Sequence, residues 1–289
     1  MDASSRGDAS TWRAWLEQSG AEIAGYLAPT VHTLLPLHLA RADLRMGLGD
    51  PPRAVLAELL GATRCWAENA PLYLHTLPLH RLRSRRLVPL ELALLTGDAP
   101  SVTALADSVA TDAMSVIAGT ADAALTRELD AVAGGPLADP PADPVGLAGR
   151  LGLLYWLALG AVVRGERHAF DATLLMAASL LAAAPSPPAG PLARLAALHA
   201  ALAALPAGDA DACAQALATH ARLHDAEAPA RAAAAGPGDP PSSGALDLPG
   251  LALAQVAAAF GLDVRDGLRA RDASPYGPAR LGLLDLLGA

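Results

Sequence analysis

The apolar positions of this chain recur at helical spacing. Leu192, Leu195, Leu198, Leu202 and Leu205 step by three, three, four and three, so they share one helix face. No stretch alternates apolar and polar residues for long enough to make a strand. Glycine and proline clusters punctuate the apolar segments at helix lengths. The pattern predicts helices over about 11–27, 30–47, 51–69, 89–96, 100–117, 120–132, 145–164, 166–184, 192–205, 209–228, 248–260 and 279–287. Pro36 is expected to kink or divide the second of these, and Pro51-Pro52 to open the third, where the missing N–H is not needed. Residues 71–88 read as irregular, 134–144 as a loop, 185–191 as a turn-rich connector and 236–244 as a flexible connector.

A repeated junction appears between helices. An apolar helix ends in glycine, an acid follows, and the next helix starts at once, at Gly49-Asp50, Gly97-Asp98, Gly165-Glu166 and Gly208-Asp209. Glycine can take the left-handed helix-end conformation and the acid can cap the following helix. The expected fold is all-α: stacked helical hairpins, tetratricopeptide-like or packed as an irregular helical bundle. The intervals of 48, 68 and 43 residues are too uneven for a strict repeat. One helical domain over 1–289 is expected, with 134–144 as the place where it would subdivide.

Composition strengthens this reading. Alanine and leucine favour helix, and only 3% of residues are aromatic. With 53% hydrophobic residues a membrane must be considered. The most apolar segments, 151–163 and 172–184, are each about 13 residues, or about 20 Å as helix, against a bilayer core of about 30 Å. Arg150 and Arg164 bracket the first. They read as two buried antiparallel helices rather than membrane spans. The first residues show no apolar stretch behind a basic cluster, so no secretory signal is expected. Cys65 and Cys213 flank no motif, which fits a reducing compartment and a cytoplasmic protein.

All 21 basic residues are arginine. Without lysine there is no phosphate-cradle lysine, no Schiff-base lysine and no Ser–Lys dyad. No nucleophile elbow, His-Glu-x-x-His, Gly-x-Gly-x-x-Gly or calcium loop occurs, so no catalytic residue, cofactor or metal is expected. Cys213, Leu217, His220 and His224, with Asp209 one turn earlier, share a helix face that could bind zinc or iron. The simpler expectation puts Cys213 in the core, His220 on a polar face and His224 at a helix C-terminus. His75 and His80 read as loop histidines. His32, His38, His168 and His199 read as capping or half-buried residues. Trp12, Trp15, Trp66, Trp156 and Tyr155 are expected to anchor packing.

The net charge of −8 is unevenly distributed. Residues 41–86 hold eight arginines against four acids, which reads as a solvated face or an anion-binding patch. Residues 98–143 hold eight acids against Arg127 alone, an acidic surface that would attract a basic partner. A nucleic-acid partner is disfavoured by the acidic total.

The C-terminal third carries a family resemblance. An Ala/Leu helix from Leu248 runs to Gly261-Leu262, and Asp272-Ala273-Ser274-Pro275-Tyr276-Gly277-Pro278 and the apolar ending Leu283-Leu284-Asp285-Leu286-Leu287 follow. This resembles the end of the immunity protein 49 family of bacterial toxin–immunity systems. The Gly-Asp junctions at 97–98 and 208–209 resemble that family's helix–helix junctions. The resemblance implies an all-helical, non-enzymatic bacterial antitoxin that binds and neutralises a cognate protein toxin, and it supplies no toxin-contacting residues. Ser274 reads as a turn residue. Asp107, Asp112, Asp122, Glu128 and Asp130 are the expected contacts for a basic toxin, with no nucleic acid and no membrane as partner. A helical-repeat scaffold or adaptor, and a helical-bundle enzyme or small-molecule or metal binder, are the alternatives.

Overall fold

Alanine and leucine put the chain into helix throughout the computed structural model, which describes residues 9–26, 31–76, 88–107, 144–184, 188–233 and 240–288. The helices are α1 (Ala9–Gly25), α2 (Val31–Gly47), α3 (Pro52–Thr76), α4 (Val88–Thr96), α5 (Pro144–Arg164), α6 (Arg167–Ala183), α7 (Gly190–Ala204), α8 (Ala210–Ala226), α9 (Ala228–Ala233), α10 (Leu248–Ala259), α11 (Arg265–Arg271) and α12 (Gly277–Leu287). A further helical stretch covers 99–107. No strand occurs among the described residues. The fold is all-α and built from packed helical hairpins.

Each hairpin turns at a Gly-acid junction. Gly49, Gly97, Gly165 and Gly208 have φ of 72°, 74°, 70° and 67°. In all four the N–H of the acid returns to a carbonyl five residues back: Asp50 to Arg45, Asp98 to Ala93, Glu166 to Ala161 and Asp209 to Ala204. This bond fills helix-end carbonyls that would otherwise lack donors. The acids differ in their second role. Asp209 accepts from the Ala212 N–H at 2.9 Å and caps α8. Glu166 makes no side-chain cap and pairs with Arg164 instead. Asp50 binds Arg13 and Arg45.

The hairpin α2–α3 packs against α4 and α12, while α7–α8 packs against α5 and α10. Helix α10 touches α4, α7, α8 and α12, which explains why it is apolar all round. Leu251, Ala252, Leu253, Ala254, Val256 and Ala257 are all buried along it. A helix contacted from several sides makes this a bundle rather than an open array, in which each unit touches only its sequence neighbours. Four of the five leucines of the sequence stripe, Leu192, Leu198, Leu202 and Leu205, are buried.

Of all the described helices, one holds a segment, Gly146–Arg164, long and apolar enough to cross a membrane, and 72% of its apolar window is buried inside the molecule. Helix α5 packs on α6 and α7.

Several boundaries differ from the sequence expectation. Helix α2 runs through Pro36 without dividing, and α3 continues through Pro71 to Thr76. Packing between neighbouring helices overrides the local penalty of a proline. The short helices α9 and α11 went unexpected. Residues 77–87, 108–143 and 234–239 lie outside the described structure, and so does the loop expected at 134–144 apart from Pro144, which opens α5.

The connector expected at 236–244 ends in a strap held by one carboxylate. Asp43 Oδ2 accepts from Ser242 Oγ at 2.9 Å, from the Ser243 N–H at 2.6 Å and from the Gly244 N–H at 3.1 Å. Its Oδ1 accepts from the Leu246 N–H at 2.8 Å, and Ser243 Oγ donates to the Asp43 carbonyl. These bonds join residues about 200 positions apart and place the start of α10.

Candidate functional site

Beside the strap lies a cavity of about 670 Å³. Its walls come from α2 (Leu39, Asp43), α4 (Val88, Glu91), α5 (Gly149, Gly152, Tyr155, Trp156), α7 (Arg194, Leu195, Leu198), α8 (His220, His224), Arg231 of α9 and Leu246. The size falls within the roughly 300–1,000 Å³ of small-molecule sites, and the lining mixes apolar rings and leucines with a few polar groups.

Each polar group has a definite setting. His220 is 1% exposed. Its Nε2 donates to Asp247 Oδ1 at 3.0 Å and its Nδ1 to the Arg194 carbonyl at 3.1 Å. Both partners only accept, so both ring nitrogens carry protons and the ring is an imidazolium. Burial works against that charge, but the Asp247 carboxylate outweighs it and raises the His220 pKa. Burial would also raise Asp247, yet the charge and hydrogen bond of His220 hold it far below the usual carboxylate range. Asp247 Oδ1 also accepts from the Gly250 N–H at 3.1 Å and caps α10.

Arg231 Nη2 donates to the carbonyls of His224 and Gly244, both at 2.6 Å. Its buried Nη1 has no hydrogen-bond partner and stands 3.7 Å from Glu227 Oε2. Arg194 Nε pairs with the same Glu227 oxygen at 2.9 Å. Burial lowers the Arg231 pKa, and the like charge of Arg194 lowers it further. On the α4–α5 side, burial raises the Tyr155 phenol well above its ordinary range, and the Glu91 and Asp247 charges add to this.

The sequence placed candidate residues differently. Of the proposed acidic contacts, Asp107 is exposed at the end of the 99–107 stretch, 3.8 Å from Arg164 Nε. Asp112, Asp122, Glu128 and Asp130 lie outside the described residues, as does His80. His220 is buried rather than on a polar face, because Asp247 gives it a charged partner inside the protein. Cys213 is a free, fully buried thiol, and burial raises it to about 11. His224 is also buried. Among the described residues no group of three His, Cys, Asp or Glu side chains converges as metal ligands would. His199 is a core residue whose Nε2 meets the Leu151 carbonyl at 2.8 Å.

The expected basic patch is partly internal. Arg41 Nε and Arg45 Nε donate to Glu58 Oε1 at 2.9 and 3.0 Å, and His38 Nδ1 lies 2.9 Å from Oε2. Burial would raise Glu58, but these three partners hold it at about 2. Arg41 also donates to Ser19 Oγ at 2.8 Å and to the Leu16 carbonyl, tying α1 to α2. Arg81, Arg83, Arg85 and Arg86 lie outside the described residues.

The C-terminal motif is a clamp. Arg280, 5% exposed, grips Asp225 of α8 through Nη1 and Nη2 at 3.1 and 2.7 Å. Its Nε donates to Asp272 Oδ2 at 3.0 Å, and Nη2 also donates to Ser274 Oγ. The turn expected at Ser274 therefore also fastens α12 to α8.

The cavity itself was not foreseen. Its one sequence signal is a pair of glycines, Gly149 and Gly152, inside an apolar helix where glycine is unfavourable. Compared with known protein families, curated proteins and solved structures, the chain matches none.

Proposed function

We propose that this chain is a non-enzymatic binding protein that neutralises a basic protein toxin in the cytoplasm of the cell that makes it. The observation that carries the reading is the outer face of α6. Ala172, Leu175, Met176, Ser179, Ala182 and Ala183 are exposed along it, with Leu175 at 70% and Met176 at 52%. They follow helical spacing, so they form one uncharged stripe, apolar except for Ser179. Such a stripe on a surface helix marks a contact for another protein.

The charge at one end of the stripe is mixed, with a small acidic excess that suits a basic partner. Asp107, Glu166 and Asp171 have side chains 61%, 40% and 48% exposed around the start of α6; Arg164 pairs with the first two and the exposed Arg167 with the third, which leaves an excess of one acid. Asp107 belongs to the segment 98–143, where eight acids face one arginine. An acidic rim beside an apolar stripe would steer a cationic toxin and then bury its apolar contact. The resemblance of the C-terminal element to the immunity protein 49 family agrees with this role, although its clamp residues are committed to holding the fold.

The test is co-expression with a toxin domain encoded beside this gene. The wild-type protein is expected to restore growth. Replacing Leu175 and Met176 together by Asp is expected to abolish protection while helical circular dichroism stays unchanged. Full protection by the double variant would overturn the α6 assignment, and failure of the wild type to protect would overturn the antitoxin reading.

A further inference from the structure

We infer that two copies of this chain pair through α6, antiparallel, with the two-fold axis beside Ser179. The order of large and small side chains along the outer face of the helix carries this. Helix α6 packs on α5 and α7, and Phe170, Thr173 and Ala177 are buried on its inner side. Phe170 and Ser179 are about two and a half helical turns apart, so Ser179 lies on the outermost line of the helix. Four and three positions before it stand Leu175 and Met176, 70% and 52% exposed. Three and four positions after it stand Ala182 and Ala183, both exposed. The face is therefore large on one side of Ser179 and small on the other. Two-fold antiparallel pairing sets residues before the axis against residues after it. Leu175 then meets Ala182 of the second copy and Met176 meets Ala183, each contact occurring twice. Ser179 meets itself, and its small side chain lets the two helices approach closely. A parallel pair would instead set Leu175 on Leu175 and alanine on alanine, leaving a gap beside the small residues.

Charge agrees with a second copy as the occupant. No ionisable side chain occurs from Ala172 to Ala184, so nothing on the face repels its own image. Arg167 and Asp171 stand at one end of α6. Antiparallel pairing puts the two sets of charges at opposite ends of the contact, where they stay in water. The paired segment, residues 172–183, is about 18 Å long. Its contact is small beside the roughly 1,200–2,000 Å² of stable complexes, so the dimer is transient and reversible. The toxin proposed above uses the same face, so toxin and second copy exclude each other. That consequence rests on the toxin reading, whereas the dimer itself does not.

Sedimentation velocity of the full chain, from micromolar to near-millimolar concentration, tests the pairing. A reversible monomer–dimer equilibrium is expected, weakened at least tenfold by Met176→Asp and by Ala183→Arg. Both positions are exposed, so the variants are expected to keep the helical circular dichroism of the wild type. The two changes in one chain are expected to restore the dimer, because each new carboxylate then faces a new guanidinium of the second copy. Ser179→Cys is expected to form a disulfide-linked dimer on mild oxidation, since only a residue at the axis meets its own image. Leu175→Cys is expected to link far less, and the native thiols Cys65 and Cys213 are buried. A chain that stays monomeric throughout, a dimer indifferent to both single changes, or a Ser179→Cys variant that links no more readily than Leu175→Cys would overturn the proposal. None of these measurements contains a toxin, so they stand or fall separately from the antitoxin reading.

Discussion

Asp247 serves two elements with one carboxylate, capping α10 and holding the imidazolium of His220. Removing one partner of a buried pair leaves the other charge unpaired, which destabilises by about 3–5 kcal/mol. The pair also makes stability depend on pH. The His220 pKa is raised in the folded protein, so its contribution is complete below the unfolded value of about 6.5 and is lost as pH rises through the folded value. Asp247 is lowered, so its contribution is present above about 3.9 and is lost in acid. The urea midpoint is therefore expected to fall as pH rises from 6 to 9, and His220→Gln is expected to flatten that slope. An unchanged slope in the variant would assign the pH dependence to other groups. The sequence showed His220 and His224 on one helix face but not the acid 27 residues on that keeps His220 charged inside the core.

At the level of elements, the Gly-acid junctions carry the hairpins, and they were readable because glycine has a local reason to be there. At Gly208 a Cβ would meet no atom within 4 Å, so a replacement suffers only the backbone strain of φ +67°. Gly208→Ala is expected to destabilise by about 1 kcal/mol and Gly208→Asn by less, measured by chemical denaturation. A loss of several kcal/mol would mean that the junction has a packing role beyond its turn. The same local logic failed elsewhere. Pro36 and Pro71 looked like breaks, yet α2 and α3 pass through them. Helix α11 is only seven residues long and includes Gly267, too short for a periodic signal. What fixes it is the groove it packs into against α8 and α12, which no local window contains.

On the scale of the whole molecule, charge is used inside as well as outside. Asp43 holds the strap, Glu58 joins Arg41 and Arg45, and Arg280 joins Asp225 and Asp272. In the sequence Arg41 and Arg45 read as part of a basic patch, because Glu58 lies 17 and 13 residues further on. The all-helical class was legible from periodicity, whereas the cavity needed helices far apart in the chain brought together. Arg280→Ala would leave Asp225 and Asp272 buried without their cation. It is expected to destabilise the protein by about 3–5 kcal/mol and to loosen α12 first in hydrogen exchange. Protection of α12 equal to wild type would contradict the clamp. The exposed stripe of α6 stands apart from these networks. The most direct measurement is a calorimetric titration of the purified protein with the toxin domain encoded beside its gene, for the wild type and for the Leu175→Asp, Met176→Asp double variant. A one-to-one complex that the double variant weakens at least a hundredfold is the predicted result; no complex, or equal affinity in the two proteins, would contradict it.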